Sequence, residues 1–190
     1  MNTADSKPSR KSRVYLLLIA LVFLAPMIVA GLLVVGGWQP GATGNGQPIL
    51  PQRNFVDEKL RVSLADGQDY RWRDSEPRMT LLALAAPDCA SRCLATLTAM
   101  AKARVMLNNN QSRLRLLYLG SPPADASARQ AVETYWKIGT DADGKLASYR
   151  PTTPDSVSAV LVESNGTALS FYPAGFDAAG LLRDMRKVIK

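Results

Sequence analysis

Apolar residues occupy positions 14 to 35 with no charge among them, and beyond that they return in short runs separated by polar turns. The first block reads VYLLLIALVFLAPMIVAGLLVV from Val14 to Val35. At about 1.5 Å per residue this length covers the ~30 Å hydrocarbon core of a bilayer, which predicts a spanning helix over residues 14–36, bent at Pro26. Trp38 falls where an interfacial aromatic belongs. A cleaved signal peptide has an apolar core of only about 7–15 residues followed by a small-x-small site. This run is longer and no such site follows it, so the pattern predicts an uncleaved anchor. From Gly41 to Pro51 the chain is rich in Gly, Pro and Asn, which bury too little side chain to offset the entropy of ordering them. That predicts a flexible tether over 37–54, with the folded domain running from 55 to 190.

Inside the domain the period of the pattern changes several times. Lys59 to Trp72 alternate apolar and polar on either side of Asp66-Gly67, a dipeptide suited to a tight hairpin turn. Thr80 to Ala86 is a continuous apolar run of strand length, as expected of a parallel strand buried on both faces. Leu94, Leu97, Ala101 and Val105 then recur at helical spacing. Leu114 to Leu119 repeats the buried-strand signal, and Ser127 to Trp136 reads as a second amphipathic helix after a Pro-Pro break. Ala159–Val162 and Ala168–Tyr172 flank Asn165-Gly166 as a further hairpin, after which Asp177 can cap a helix carrying Leu181, Leu182, Met185, Val188 and Ile189. A βαβ half followed by a ββα half, preceded by a short hairpin, predicts an α/β, thioredoxin-like domain rather than a doubly wound nucleotide fold. No glycine-rich phosphate loop follows any strand.

Charge changes the picture through its position. The chain carries a formal +7, but Lys7, Arg10, Lys11 and Arg13 stand in front of the apolar run with only Asp5 opposing them, leaving about +4 on the remainder. The uncharged flank GGWQPGATGNGQP follows the run. By the positive-inside rule, residues 1–13 form a basic cytoplasmic tail and everything after Trp38 lies across the membrane. A bacterial inner membrane, with the domain in the periplasm, is the setting this predicts. The other Lys and Arg residues are mixed with Asp and Glu, with no aromatic-interleaved basic stripe, so nucleic acid is not an expected partner.

The two cysteines, Cys89 and Cys93, are the only ones in the chain. They stand as Cys-Ala-Ser-Arg-Cys between a buried strand and a helix. On a helix, a spacing of four places them on one face with Cα atoms about 6 Å apart, near enough for a disulfide or for one soft metal ion. The positive end of the helix and Arg92 favour a nucleophilic thiolate, and Asp88 opposes it. A plain structural disulfide is the alternative, since the periplasm is oxidising. So short a loop makes a weak staple, which favours a functional pair.

The stretch Pro87-Asp88-Cys89-Ala90-Ser91-Arg92-Cys93, after a strand and before Leu94 and Leu97, resembles the CxxxC region of the Sco (SenC-like) proteins. The whole chain, from the basic N-terminus through Gly37-Trp38-Gln39-Pro40-Gly41 to the last helix, looks like their short membrane-anchored relatives associated with cytochrome c oxidase assembly. The resemblance implies a membrane-anchored thioredoxin fold that delivers copper to the binuclear centre of the oxidase or reduces its cysteine ligands. It implies Cys89 and Cys93 as the working residues and as ligands for Cu(I). Sco proteins add a histidine ligand, and this chain has none. Counting back from Gly166 puts Asp155 in that place, with Ser156 beside it. A carboxylate is a poor ligand for Cu(I), so thiol reduction survives the loss of histidine better than Cu(II) binding does.

Pro154 stands about where thioredoxin folds place a cis-proline. Met79, Met100, Trp72 and Trp136 read as packing residues. Without histidine and without a paired carboxylate motif, hydrolysis is not expected. Two other functions remain open on these residues: an assembly scaffold with a degenerate thioredoxin fold, and a general periplasmic thiol–disulfide oxidoreductase.

Overall fold

The computed structural model describes residues 10–35 and 44–189, and the chain divides into two units, residues 1–43 and 44–190. In the first unit a single helix, α1 (Arg10–Val35), contains Pro26 and begins four residues before the apolar run. Its segment Val14–Leu33 is long and apolar enough to cross a membrane. Leu16, Leu21 and Phe23 are each more than half exposed, as a helix without a protein core to bury it requires. Most of the basic tail and Trp38 lie outside the described residues.

The second unit is built on one seven-stranded sheet. Its strands are β1 (Gln47–Pro48), β2 (Val62–Leu64), β3 (Met79–Ala85), β4 (Leu114–Leu119), β5 (Lys137–Asp141), β6 (Val157–Val162) and β7 (Ala168–Tyr172), in the spatial order β1-β7-β6-β3-β4-β5-β2. Strands β3, β4 and β5 run parallel, β6 runs antiparallel to β3, and β7 runs antiparallel to β6. Three helices complete the domain: α2 (Ser91–Val105), α3 (Ala126–Tyr135) and α4 (Ala178–Val188). This is the expected α/β thioredoxin-like domain.

Because β3 is central, all seven of its residues are buried, and alternate residues serve two cores. On one face Leu81, Ala83, Leu116 and Tyr118 pack with Leu97 and Met100 of α2, Trp136 after α3, and Leu181 and Met185 of α4. On the other face Leu82, Leu84, Leu117 and Val160 pack with Phe55, Trp72 and Tyr149. Loop segments and a short 3-10 helix, Ala147–Tyr149, cover that second face in place of α-helices. The indole of Trp72 meets Phe55 and Tyr70 edge-on at 4.9 and 5.0 Å and donates to the Leu60 carbonyl at 2.9 Å, so its polar tip is satisfied within the core. Met79 and Met100 are likewise buried packing residues.

Several sequence expectations need correction. The hairpin turn at Asp66-Gly67 forms, but its second arm contributes only an isolated bridge at Asp69, and β2 pairs along its length with β5. Strand β5 was not expected. Its Gly139 is buried opposite Leu64, and a Cβ there would stand 2.7 Å from a Val62 methyl. The absent side chain therefore suits the close packing but leaves no apolar signal. The second unit starts at Gly44, and the part of the expected tether over 44–54 pairs with it. β1 pairs with Ser170 and Phe171 of β7, and Asn54 bridges Thr167. Asp184 of α4 holds this segment down by accepting from the Asn45 and Gly46 amides at 2.6 and 3.1 Å and from the Tyr172 hydroxyl at 3.2 Å. Residues 37–43 of the tether lie outside the described residues.

Candidate functional site

Strand β3 ends at Ala85, and the chain turns through Pro87 to Ala90 before α2 begins at Ser91. Cys89 thus precedes the helix and Cys93 sits in its first turn. The pair is therefore not two positions on one helical face. The corner itself brings their Cα atoms to 5.1 Å, and a disulfide joins them. The two residues differ in exposure. Cys93 is fully buried among the residues under α2. Cys89 is half-buried, with exposed Asp88 and Ala90 on either side.

Helix α2 lacks a cap of its own, because Ala90 at the N-cap position has no side-chain acceptor. Four amides at a helix start need partners, and here a distant residue supplies one. The Asp155 carboxylate accepts from the Ala90 amide at 2.8 Å, the Cys93 amide at 2.9 Å and the Arg92 amide at 3.0 Å. The Arg92 guanidinium approaches the same carboxylate, with Nε 3.4 Å from Oδ2. The Asp155 amide in turn donates to the Asp88 carbonyl at 3.0 Å. The Cys93 amide foremost, against an opposing effect of burial and with the help of the other donors, holds the Asp155 carboxyl below its ordinary value. The register explains the meeting: β6 runs antiparallel to β3 with Val157 opposite Ala85, so the residues just before β6 lie against those just after β3.

The structure therefore brings Cys89, Cys93 and Asp155 together, but gives Asp155 a different task from the one read off its position. Both of its oxygens face N–H donors, so with the disulfide formed the carboxylate acts as a helix cap. Among the described residues no group of three or more His, Cys, Asp or Glu side chains is placed to hold a metal. Two sulfurs released from the disulfide remain a fitting donor pair for Cu(I), which accepts soft ligands at low coordination number. The Thr153–Pro154 bond is not cis; among the described residues the cis bond is Leu50–Pro51. What sequence reading missed was the cap. The available signal was Ala90 at a helix start that needed an acceptor, together with a carboxylate on the loop leading into the neighbouring strand.

Comparison with known proteins agrees with this architecture. Residues 79–190 match the family model described as transmembrane-like, thioredoxin-like, C-terminal domain. No curated protein matches the chain. Among solved structures, apo Sco1 from Thermus thermophilus is 15% identical, with a TM-score of 0.54 over 78% of this chain and 99% of that one. Peroxiredoxin Q from Xanthomonas campestris is 12% identical, with a TM-score of 0.51 over 76% of this chain and 100% of that one. Copper-bound ScoI from Arabidopsis thaliana is 15% identical, with a TM-score of 0.49 over 76% and 97% of the two chains. At these identities the likeness is one of fold, and the neighbours include Sco proteins alongside other thioredoxin-like proteins. The family match covers more than half of the sequence, and the chain belongs to the transmembrane-like, thioredoxin-like C-terminal domain family.

Proposed function

We propose that the chain is a membrane-anchored thiol–disulfide exchange protein that acts through Cys89 and Cys93 in the assembly of a copper-containing cytochrome c oxidase. The observation that carries the reading is the unequal exposure of the bonded cysteines, Cys89 half-buried and Cys93 fully buried. Exchange needs one sulfur that a partner can reach and a second that resolves the intermediate.

Once an upstream dithiol has reduced the pair, the Cys89 thiolate attacks a client disulfide, forming one mixed disulfide and releasing the client's other sulfur as a thiolate. The Cys93 thiolate then attacks the Cys89 sulfur. The Cys89–Cys93 bond reforms, the second client sulfur leaves, and the two protons given up by the pair balance those taken up by the client thiols. Two electrons pass from the pair to the client. The Sco resemblance supplies the client, namely the cysteine ligands of the oxidase's binuclear copper centre. Copper, if carried, is cargo: Cu(I) held by the same two sulfurs in their reduced state. The basic residues in front of the apolar run support an inner-membrane anchor with a cytoplasmic N-terminus and a periplasmic domain.

The Cys93→Ser variant tests this. With the resolving sulfur gone, Cys89 is expected to accumulate a mixed disulfide with an oxidase subunit, released by dithiothreitol and absent from the double Cys89→Ser/Cys93→Ser variant. Adducts spread over many unrelated proteins would favour a general oxidoreductase. If none forms while deletion of the chain still impairs the oxidase, the protein is a scaffold.

A further inference from the structure

We infer that Asp155 sets the redox poise of the cysteine pair, favouring the disulfide by filling with negative charge the helix end that an anionic Cys89 sulfur would otherwise use. The inference rests on the exchange reading above and adds to it a residue that touches neither the client nor the sulfurs' bond.

Reduction of the disulfide gives two sulfurs, and the accessible one works as a thiolate. A helix N-terminus normally stabilises such an anion through its free amides and dipole, and neighbouring cations add to this. Here most of those resources are already committed. The amides of Ala90, Arg92 and Cys93 all point to the Asp155 carboxylate, and the Arg92 guanidinium turns to it as well. The carboxylate side chain is only 15% exposed, so solvent and salt screen it less than a surface charge. A thiolate formed at Cys89 therefore meets an occupied helix end and a fixed negative charge close by. Exposed Asp88 adds a second charge of the same sign. Both effects disfavour the reduced state and make the dithiol the stronger reductant.

The placement argues against a cap that serves the helix alone. A local acceptor at position 90 would satisfy the amides without touching the loop. Asp155 instead ties the cysteine loop on both sides of Cys89, giving its amide to Asp88 and its carboxylate to Ala90, Arg92 and Cys93. It does so from a left-handed backbone conformation at φ +52, which Asp and Asn tolerate better than most residues.

Asp155→Asn removes the charge, accepts the same backbone conformation and keeps one capping oxygen for the Ala90 and Cys93 amides. The full chain in detergent is equilibrated with glutathione redox buffers at pH 8, quenched by alkylation and assayed for dithiol and disulfide. At a fixed buffer poise, the dithiol-to-disulfide ratio is expected to rise about fivefold or more in Asp155→Asn, with Asp88→Asn moving it less. If the wild-type pair equilibrates and Asp155→Asn leaves the ratio unchanged, or if Asp88→Asn moves it equally, Asp155 is a cap without redox influence and the inference is overturned while exchange stands. A wild-type pair that excess dithiothreitol also leaves oxidised would overturn both.

Discussion

Replacing Cys89 by serine is expected to lower the thiol-exchange rate of the full-length chain at least about a thousandfold, as loss of an attacking nucleophile does. In a copper-limited cell it should reduce cytochrome oxidase activity to the level of a deletion. The fold should survive. In the chain-entropy picture, a disulfide that closes so short a loop contributes about 2 kcal/mol, and the packing around β3 does not depend on it. Cys89 is half-buried at the edge of the core rather than within it, so the serine hydroxyl keeps access to water. Circular dichroism with a urea titration checks the fold, and reduction of a model disulfide checks the exchange. A variant that is folded, inactive in exchange and normal in oxidase assembly would detach the chemistry from the biology.

Asp184→Ala should produce the largest stability change among polar substitutions, a loss of about 2–3 kcal/mol read as a lower urea midpoint at pH 7. The side chain is nearly buried and binds the Asn45 and Gly46 amides, the Tyr172 hydroxyl and Lys187. Alanine would leave the tyrosine hydroxyl without this acceptor and free the segment that carries β1, so cleavage by added protease near residues 44–48 should accelerate. The wild-type protein should also show the linkage in its pH dependence. Burial, the largest influence, would push the Asp184 carboxyl up, but the Gly46 and Asn45 amides together with the other donors outweigh it, and the group sits below its ordinary value of 3.8. A depressed folded value means the stabilisation is complete above about pH 4 and fades as pH falls through that lower value. The gap in urea midpoint between wild type and Asp184→Ala should therefore narrow below pH 4. A constant gap would show that the carboxylate's charge is not what holds the segment.

The central strands were legible in the sequence because burial on both faces leaves an uninterrupted apolar run, as in β3 and β4. Helix α4 was legible because Asp177 announces its start, accepting from the Ala179 and Gly180 amides at 3.0 and 2.9 Å. The edges were not. β1 is Gln-Pro, with no apolar residue to signal it, and it is held by a carboxylate well over a hundred positions away. β5 depends on a glycine fitting under Val62. Helix α2 was placed correctly, but its apolar stripe was read a little off. Leu97 and Ala101 are buried as expected, whereas Val105 is half exposed and the deepest positions are Cys93 and Met100. The location of Asp155 beside the cysteines could be reached by counting from Gly166. Its task could not, because a carboxylate used as a cap from another loop has the same local sequence as one used as a ligand.

The central claim is that Cys89 is the reachable sulfur and Cys93 the sheltered one. Its most direct test is a time course of iodoacetamide labelling on the full chain in detergent after stoichiometric reduction, with each cysteine followed separately by peptide mass spectrometry. Modification of Cys89 at least about tenfold faster than Cys93 is the predicted result. Equal rates, or Cys93 reacting first, would contradict it.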